Sequence, residues 1–291
     1  MKQKLPIIIV LMLASLPFWN IFQDEIQPWD EGIYACRIKA VAEYDQWLDQ
    51  TEYSPGGLYS SAHPPLVIWS NAVFVKIFGN AEYAYRIATS LFGALLIIAV
   101  YFMQRNKLSG LIASGILATS SFILYYSSHT QLDVPLTLFI VLGILFFKRY
   151  EESSKKMYLI FTGFALGLGL WTKIAVAALL PFVVGIYLLY KIIIKEKKCF
   201  PALYELLIIL IIGIAIILPW IIFMYDKHGS EFLDYYFFYH ILERTVGGVE
   251  SNSKSMGVFY YLNQMMVHLP LAVAFILLKT KDIIKNKDNL I

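Results

Sequence analysis

The chain is 291 residues long, with 58% hydrophobic residues, 15% charged residues and a formal net charge of +3 at pH 7. Soluble domains have roughly 45–50% apolar and about 25% charged residues, so this composition excludes a water-soluble globule. The 24 Lys and Arg residues gather into no single patch, which argues against nucleic acid as a partner.

The apolar runs are of helical length and lack the short alternating pattern of an outer-membrane barrel. They predict an all-α polytopic membrane protein with eight spans, at about 5–22, 83–103, 108–126, 134–147, 157–172, 174–190, 202–223 and 258–278. The first, in "MKQKLPIIIVLMLASLPFWNIF", has the charged start of a secretory signal. Bulky residues follow where a small-residue cleavage site belongs, so it reads as an uncleaved span.

With the N-terminus in the cytoplasm, the inner segments are 1–4, 104–107, 148–156, 191–201 and 279–291. They hold Lys2, Lys4, Arg105, Lys107, Lys148, Arg149, Lys155, Lys156, Lys191, Lys195, Lys197, Lys198, Lys279, Lys281, Lys285 and Lys287, two thirds of all Lys and Arg. Basic residues near span ends favour the cytoplasm, which sets this orientation. Cys36 and Cys199 then lie on opposite sides and cannot pair.

Within a single membrane domain, 1–291, two large segments remain outside, 23–82 and 224–257. The first carries Ile33, Cys36, Val41 and Tyr44 near helical spacing, which predicts an amphipathic interfacial helix. A second apolar helix follows, Leu66 to Phe78. It is short for a span, and letting it cross would reverse the charge pattern of every later loop.

Ionisable residues collect at the outer ends of the spans: Asp30, Glu31, His63, Arg86, His129, Asp133, Lys173, His240 and Arg244. Charges so near hydrocarbon are costly and mark functional sites. Asp30 and Glu31, in "QPWDEGIY", read either as solvated charges at a helix start or as a general base beside an orienting carboxylate. Adjacent side chains point in different directions, so only one would do the chemistry. Asp133 suits the N-cap of a helix with Pro135 just inside it, and His129 makes the same hairpin tip polar. Lys173 interrupts an apolar stretch, either by snorkelling or to bind an anion. His240 and Arg244 stand one helical turn apart, and Arg is a natural ligand for phosphate. Carboxylates for activation together with Arg, Lys and His for phosphate suggest a phosphorylated lipid substrate.

The ordered set "WDEGIYA", "HPPLVIW", "EYAYRIATSLFGALL", "HTQLDVPLTLF", "LWTKIAVAALLPF" and "FYHILERTVGG" resembles the C-type (GT-C) polyprenyl-phosphate-sugar glycosyltransferases. Among these it is similar to the bacterial relatives of dolichyl-phosphate-mannose protein mannosyltransferases and to lipid A aminoarabinose transferases. The resemblance implies a GT-C helical bundle and an inverting sugar transfer from a polyprenyl-phosphate donor to a lipid, glycan or protein acceptor. It implies the periplasmic face of the inner membrane as the place of reaction. It makes Asp30 or Glu31 the catalytic base and Asp133 a second acidic site residue. His63, Pro64 and Pro65 match the family's Pro-Pro motif, and Arg86 and Arg244 would neutralise the leaving phosphate. Where aminoarabinose transferases have an acidic-Lys pair before the prolines, this chain has Ala62 and His63, so no metal and no other cofactor is expected. Family members run to several hundred residues, so a short member, a truncated product or one part of a split enzyme is expected here. Two other classes stay open at this point: a flippase or transporter of an anionic lipid, and a non-catalytic fragment that binds lipid or a partner.

Overall fold

The computed structural model describes residues 5–22 and 25–243, with Asn263 and Val267 beyond them. The regular elements of the described residues are helical. They are α1 (Leu5–Leu13), α2 (Asp30–Tyr44), α3 (Leu58–Ser61), α4 (Leu66–Phe78), α5 (Ile87–Met103), α6 (Lys107–Ala118), α7 (Ser121–Ser128), α8 (Asp133–Ser153), α9 (Lys156–Leu170), α10 (Ile174–Ala177), α11 (Leu179–Ile193), α12 (Cys199–His228) and α13 (Ser230–Leu233), followed by a π-type stretch, Asp234–Glu243. Of the expected run at 258–278, only Asn263 and Val267 are among the described residues.

A helix falls on each of the other expected runs. By length and composition, two stretches are long and apolar enough to cross a membrane, Ile174–Ile193 and Cys199–His228. A third is the pair α6 and α7, bent by 64° at its break. Four further apolar helices are shorter, at Leu5–Phe18, Leu66–Phe78, Ile87–Met103 and Lys156–Leu170.

Helix α9 lies between α8 and α12, and α5 joins α8 to α6. Glycines set the closest of these approaches, since without a hydrophobic drive in lipid the helices associate by close packing. Gly163 and Gly167 of α9 face Ile212 and Ile216 of α12, while Gly213 of α12 faces Leu166 of α9. A methyl group on Gly163 would lie 2.8 Å from Ile212 Cβ and 3.2 Å from the Ile209 carbonyl oxygen, neither of which can swing aside. Gly163→Val is therefore expected to destabilise by about 1–3 kcal/mol, read as a lower thermal midpoint in detergent. Gly115→Ala, whose new atom would meet only Leu13 Cδ1 at 4.0 Å, serves as the neutral control.

Helices α2 and α4 form a separate small core, in which Tyr34, Ile38 and Val41 pack on Val67, Ile68 and Ala72 with Leu132 from the start of α8. The buried stripe of α2 differs from the expected one. Val41 is buried as expected, but Cys36 and Tyr44 are exposed, and Tyr34, Arg37 and Ile38 take the inner face. A buried arginine lies on that face, which is why a stripe sought among apolar residues alone was misplaced.

Helix α8 separates two polar ends. Asp133 begins it and Glu151 stands eighteen residues later, about 27 Å away at 1.5 Å per residue. At the Glu151 end, Lys148 Nζ donates to the Met103 carbonyl at 3.0 Å, and Lys197 Nζ lies 2.6 Å from both Glu151 Oε1 and Glu205 Oε2. Three of the segments expected in the cytoplasm, 104–107, 148–156 and 191–201, thus meet at one end of the bundle. The remaining candidate residues with described side chains belong to the other.

Candidate active site

The centre of that other end is Glu31. Helix α2 starts at Asp30, directly after Trp29, an exposed residue held at φ 70°. A positive φ at a bulky residue is unfavourable. Trp29 stands at the N-cap of α2, and the first two residues of that helix point apart, with Asp30 exposed and Glu31 only 1% exposed.

Glu31 meets Arg86, which is 0% exposed at the start of α5. Arg86 Nε donates to Glu31 Oε1 at 2.8 Å and Nη2 donates to Oε2 at 3.1 Å. The same Nη2 donates to the Glu25 carbonyl at 2.9 Å. Glu31 also accepts from two backbone N–H groups, Gln27 at 2.8 Å and Thr130 at 2.9 Å. Burial pulls the Glu31 carboxyl upward, but the Arg86 hydrogen bonds, the two backbone donors and the Arg86 charge outweigh it. The pKa ends below the ordinary carboxylate value.

This geometry bears on two expectations. Glu31, one of the two residues expected as the base, has both oxygens occupied by a buried cation and backbone donors. Arg86 turns its guanidinium to Glu31 and backbone carbonyls, where the resemblance gave it the donor phosphate. A bidentate Arg–carboxylate pair is strongly directional, and this one fixes α2 against α5 and the 129–133 turn.

Thr130 carries the connection onward, its hydroxyl donating to the Tyr85 carbonyl at 2.6 Å. His129 beside it is buried, its ring stacked on Tyr125 at 4.3 Å and its Nδ1–H donating to the Tyr125 carbonyl at 2.8 Å. Three residues on, Leu132 takes the N-cap position and Asp133 becomes the first residue of α8, where a carboxylate suits the helix dipole. Asp133 Oδ1 accepts from Lys173 Nζ at 3.1 Å, both side chains part-exposed. Lys173 thus does not stand alone: it is paired with the first residue of α8.

His63 joins through its backbone. Its carbonyl accepts from Arg37 Nη2 at 2.7 Å, and Leu66 N–H, just past the two prolines, donates to the Trp171 carbonyl at 3.3 Å. The His63 turn and the Lys173 turn are therefore neighbours. Arg37 was missed by sequence reading although it is buried and also donates to Gln50 Oε1 at 3.0 Å. The available signal was its spacing from Tyr34 and Val41, three and four positions away on one helical face. Burial lowers the Arg37 pKa to about 10, against the raising influence of Tyr34 and Asp49. His240 has helical backbone in the stretch Asp234–Glu243, and its side chain is outside what is described; Arg244 lies outside the described residues altogether.

A second missed cluster ties the 23–82 segment to the end of α12. Asp49, buried, accepts from Lys227 Nζ at 2.7 Å and His228 Nε2 at 2.8 Å, while Trp220 Nε1 donates to the Leu48 carbonyl at 2.9 Å. Burial raises the Asp49 pKa, but Lys227, Thr51 and His228 outweigh it and bring it down to about 2. A depressed folded-state pKa contributes stability above the unfolded value near 4, lost as pH falls towards 2. Asp49→Asn is expected to lower the thermal midpoint at pH 7 and to flatten its fall between pH 4 and 2, measured by thermal scans across that range.

Beside His129 opens a cleft of about 550 Å³, lined by Leu16, Trp19, Leu124, Tyr125 and Ser128 among others. Its walls are mainly apolar, and Tyr125 forms both this wall and the stack on His129.

Fold and site together define a helical membrane protein with a carboxylate- and cation-rich site gathered at one end of its bundle. A model of the dolichyl-phosphate-mannose-protein mannosyltransferase family matches residues 62–223, more than half of the chain, and the chain belongs to that family. An uncharacterized protein of Aquifex aeolicus is 23% identical over 94% of this chain and 53% of its own length. The undecaprenyl phosphate-alpha-4-amino-4-deoxy-L-arabinose arabinosyl transferase of Edwardsiella ictaluri is 28% identical over 73% of this chain and 39% of the transferase. In fold, the chain is similar to ArnT from Cupriavidus metallidurans bound to undecaprenyl phosphate, with a TM-score of 0.75 at 18% identity, covering 96% of this chain and 51% of that one. The chain spans about half or less of the length of these relatives.

Proposed function

We propose that this protein is a membrane glycosyltransferase that moves a sugar from a polyprenyl-phosphate donor to an acceptor, with inversion. The observation that carries this reading is the division of labour at Asp30 and Glu31. One carboxylate is locked to Arg86 as a fixed support, and its neighbour in the chain is exposed at the start of the same helix, while the 129–133 turn that Glu31 holds leads into Asp133 and its partner Lys173. Family membership supplies the reaction class.

In the mechanism, Asp30 takes the proton of the acceptor hydroxyl as its oxygen attacks the anomeric carbon. The bond from that carbon to the phosphate oxygen breaks, and the electron pair leaves with polyprenyl phosphate. Lys173 exchanges Asp133 for the phosphate and steadies the charge that develops there. The apolar cleft next to His129 suits the first isoprene units. The reaction end faces the periplasm and the Glu151 end the cytoplasm, with eight spans between them, of which the eighth is residues 258–278. Charges gathered at one end fit this reading better than a transporter, whose coupling residues belong near the midplane.

The test is turnover in vesicles supplied with polyprenyl-phosphate-linked pentose or hexose and a panel of lipid, glycan and peptide acceptors. Release of polyprenyl phosphate together with a glycosylated acceptor is the expected result. Donor that stays intact with every acceptor would overturn the proposal.

A further inference from the structure

At the Glu151 end, away from the reaction site, two adjoining cavities of about 380 and 170 Å³ share Arg105, Lys148 and Glu152 in their walls. The larger has an apolar side made by Ile144 and Phe147 of α8 and Val183 and Val184 of α11. The smaller adds Arg149.

The charges here do not cancel. Glu152 is taken by Arg149, whose Nη1 lies 3.4 Å from Oε2. Glu151 shares Lys197 with Glu205, at 2.6 Å from each, and it also accepts from the Tyr187 hydroxyl at 3.2 Å. Lys148 donates to a neutral carbonyl, that of Met103, which leaves its charge uncompensated. Arg105 is exposed and makes no ion pair among the described residues. Two cations with no carboxylate partner among the described residues, in a cluster of net positive charge, thus line a cavity whose other residues include Ile144, Phe147, Val183 and Val184. One lies in the turn after α5 and the other near the end of α8.

We propose that this cavity holds an anionic phospholipid of the adjacent leaflet, with its phosphate between Arg105 and Lys148 and an acyl chain along Phe147, Val183 and Val184. Basic pockets between spans take anionic headgroups because charge attraction and acyl burial act together. A free phosphate would satisfy the cations and leave the apolar wall unused; a zwitterionic lipid would satisfy the wall and gain little from the cations. The inference rests on the membrane orientation proposed above and is independent of the transfer reaction.

Native mass spectrometry of the full chain, equilibrated with equal phosphatidylglycerol and phosphatidylcholine, tests it. The wild type is expected to retain phosphatidylglycerol preferentially. Each surface cation contributes roughly fivefold, so Arg105→Gln with Lys148→Gln is expected to weaken that retention about 30-fold. Val183→Trp, which fills the apolar side and keeps both charges, is expected to lower retention as well. Thermal midpoints and donor turnover on the same preparations separate loss of lipid from loss of fold and from failure of the enzymatic reading. Equal retention by wild type and the double variant would overturn the proposal, as would retention unchanged in Val183→Trp. Displacement of the lipid by millimolar inorganic phosphate would do so too, by showing a small-anion site.

Discussion

Glu31→Gln and Arg86→Met are each expected to destabilise the protein by about 3–5 kcal/mol, because either one leaves a buried charge without its partner. The pair is almost fully buried, at 1% and 0% exposure, and bidentate at 2.8 and 3.1 Å. Gln keeps the shape of Glu and one carbonyl oxygen for the Thr130 N–H, but it removes the charge and sets an NH2 group where Oε2 accepts from the Gln27 N–H and Arg86 Nη2. The double variant, with both charges gone, is expected to recover part of the loss, as removal of whole buried pairs does elsewhere. Thermal midpoints in detergent for the four proteins complete the cycle. Wild-type midpoints in both single variants would remove Glu31 from its supporting role. The pH dependence has a fixed sign: the folded-state pKa of Glu31 is depressed, so its contribution is present above the ordinary carboxylate value and fades as pH falls through the depressed one.

Asp30→Asn is expected to act in the opposite way, on rate and not on stability. Its side chain is exposed, so the thermal midpoint should stay within about 0.5 kcal/mol of wild type. Turnover should fall by about 10²–10⁴, the usual worth of a general base. A loss confined to KM would show that Asp30 orients the acceptor without taking its proton, as an acceptor that is itself a phosphate would need. Comparing Asp30→Asn with Glu31→Gln therefore tests the central claim about two adjacent acids: one variant should be stable and slow, the other unstable.

The helices were readable in the sequence because apolar runs of helical length have few alternatives in a membrane. The bounds of Leu66–Phe78 came out residue for residue. The gathering of polar groups at one end was also readable, since it follows from counting helices and alternating their direction. Individual roles were not. Glu31 and Asp30 are equivalent acids in the chain, and what separates them is an arginine 55 residues away. Arg37, Asp49 and Lys227 escaped for the same reason. A buried ion pair is a property of two distant positions, and nothing in the local pattern at either one announces the other.

The bond between Glu31 and the Thr130 N–H spans 99 residues, and this sets an order of events at the ribosome. When α2 emerges, its carboxylate has neither Arg86 nor the 129–133 turn to receive it. At about 5–20 residues per second, the nascent chain holds that acid in water or among headgroups for roughly 5–20 s. Only once α5 to α7 and the turn that bears Thr130 have been made does the charge find its full seat. The Glu31 end of the molecule is thus assembled late, and variants that weaken the Glu31 seat should be seen first as poor accumulation in the membrane.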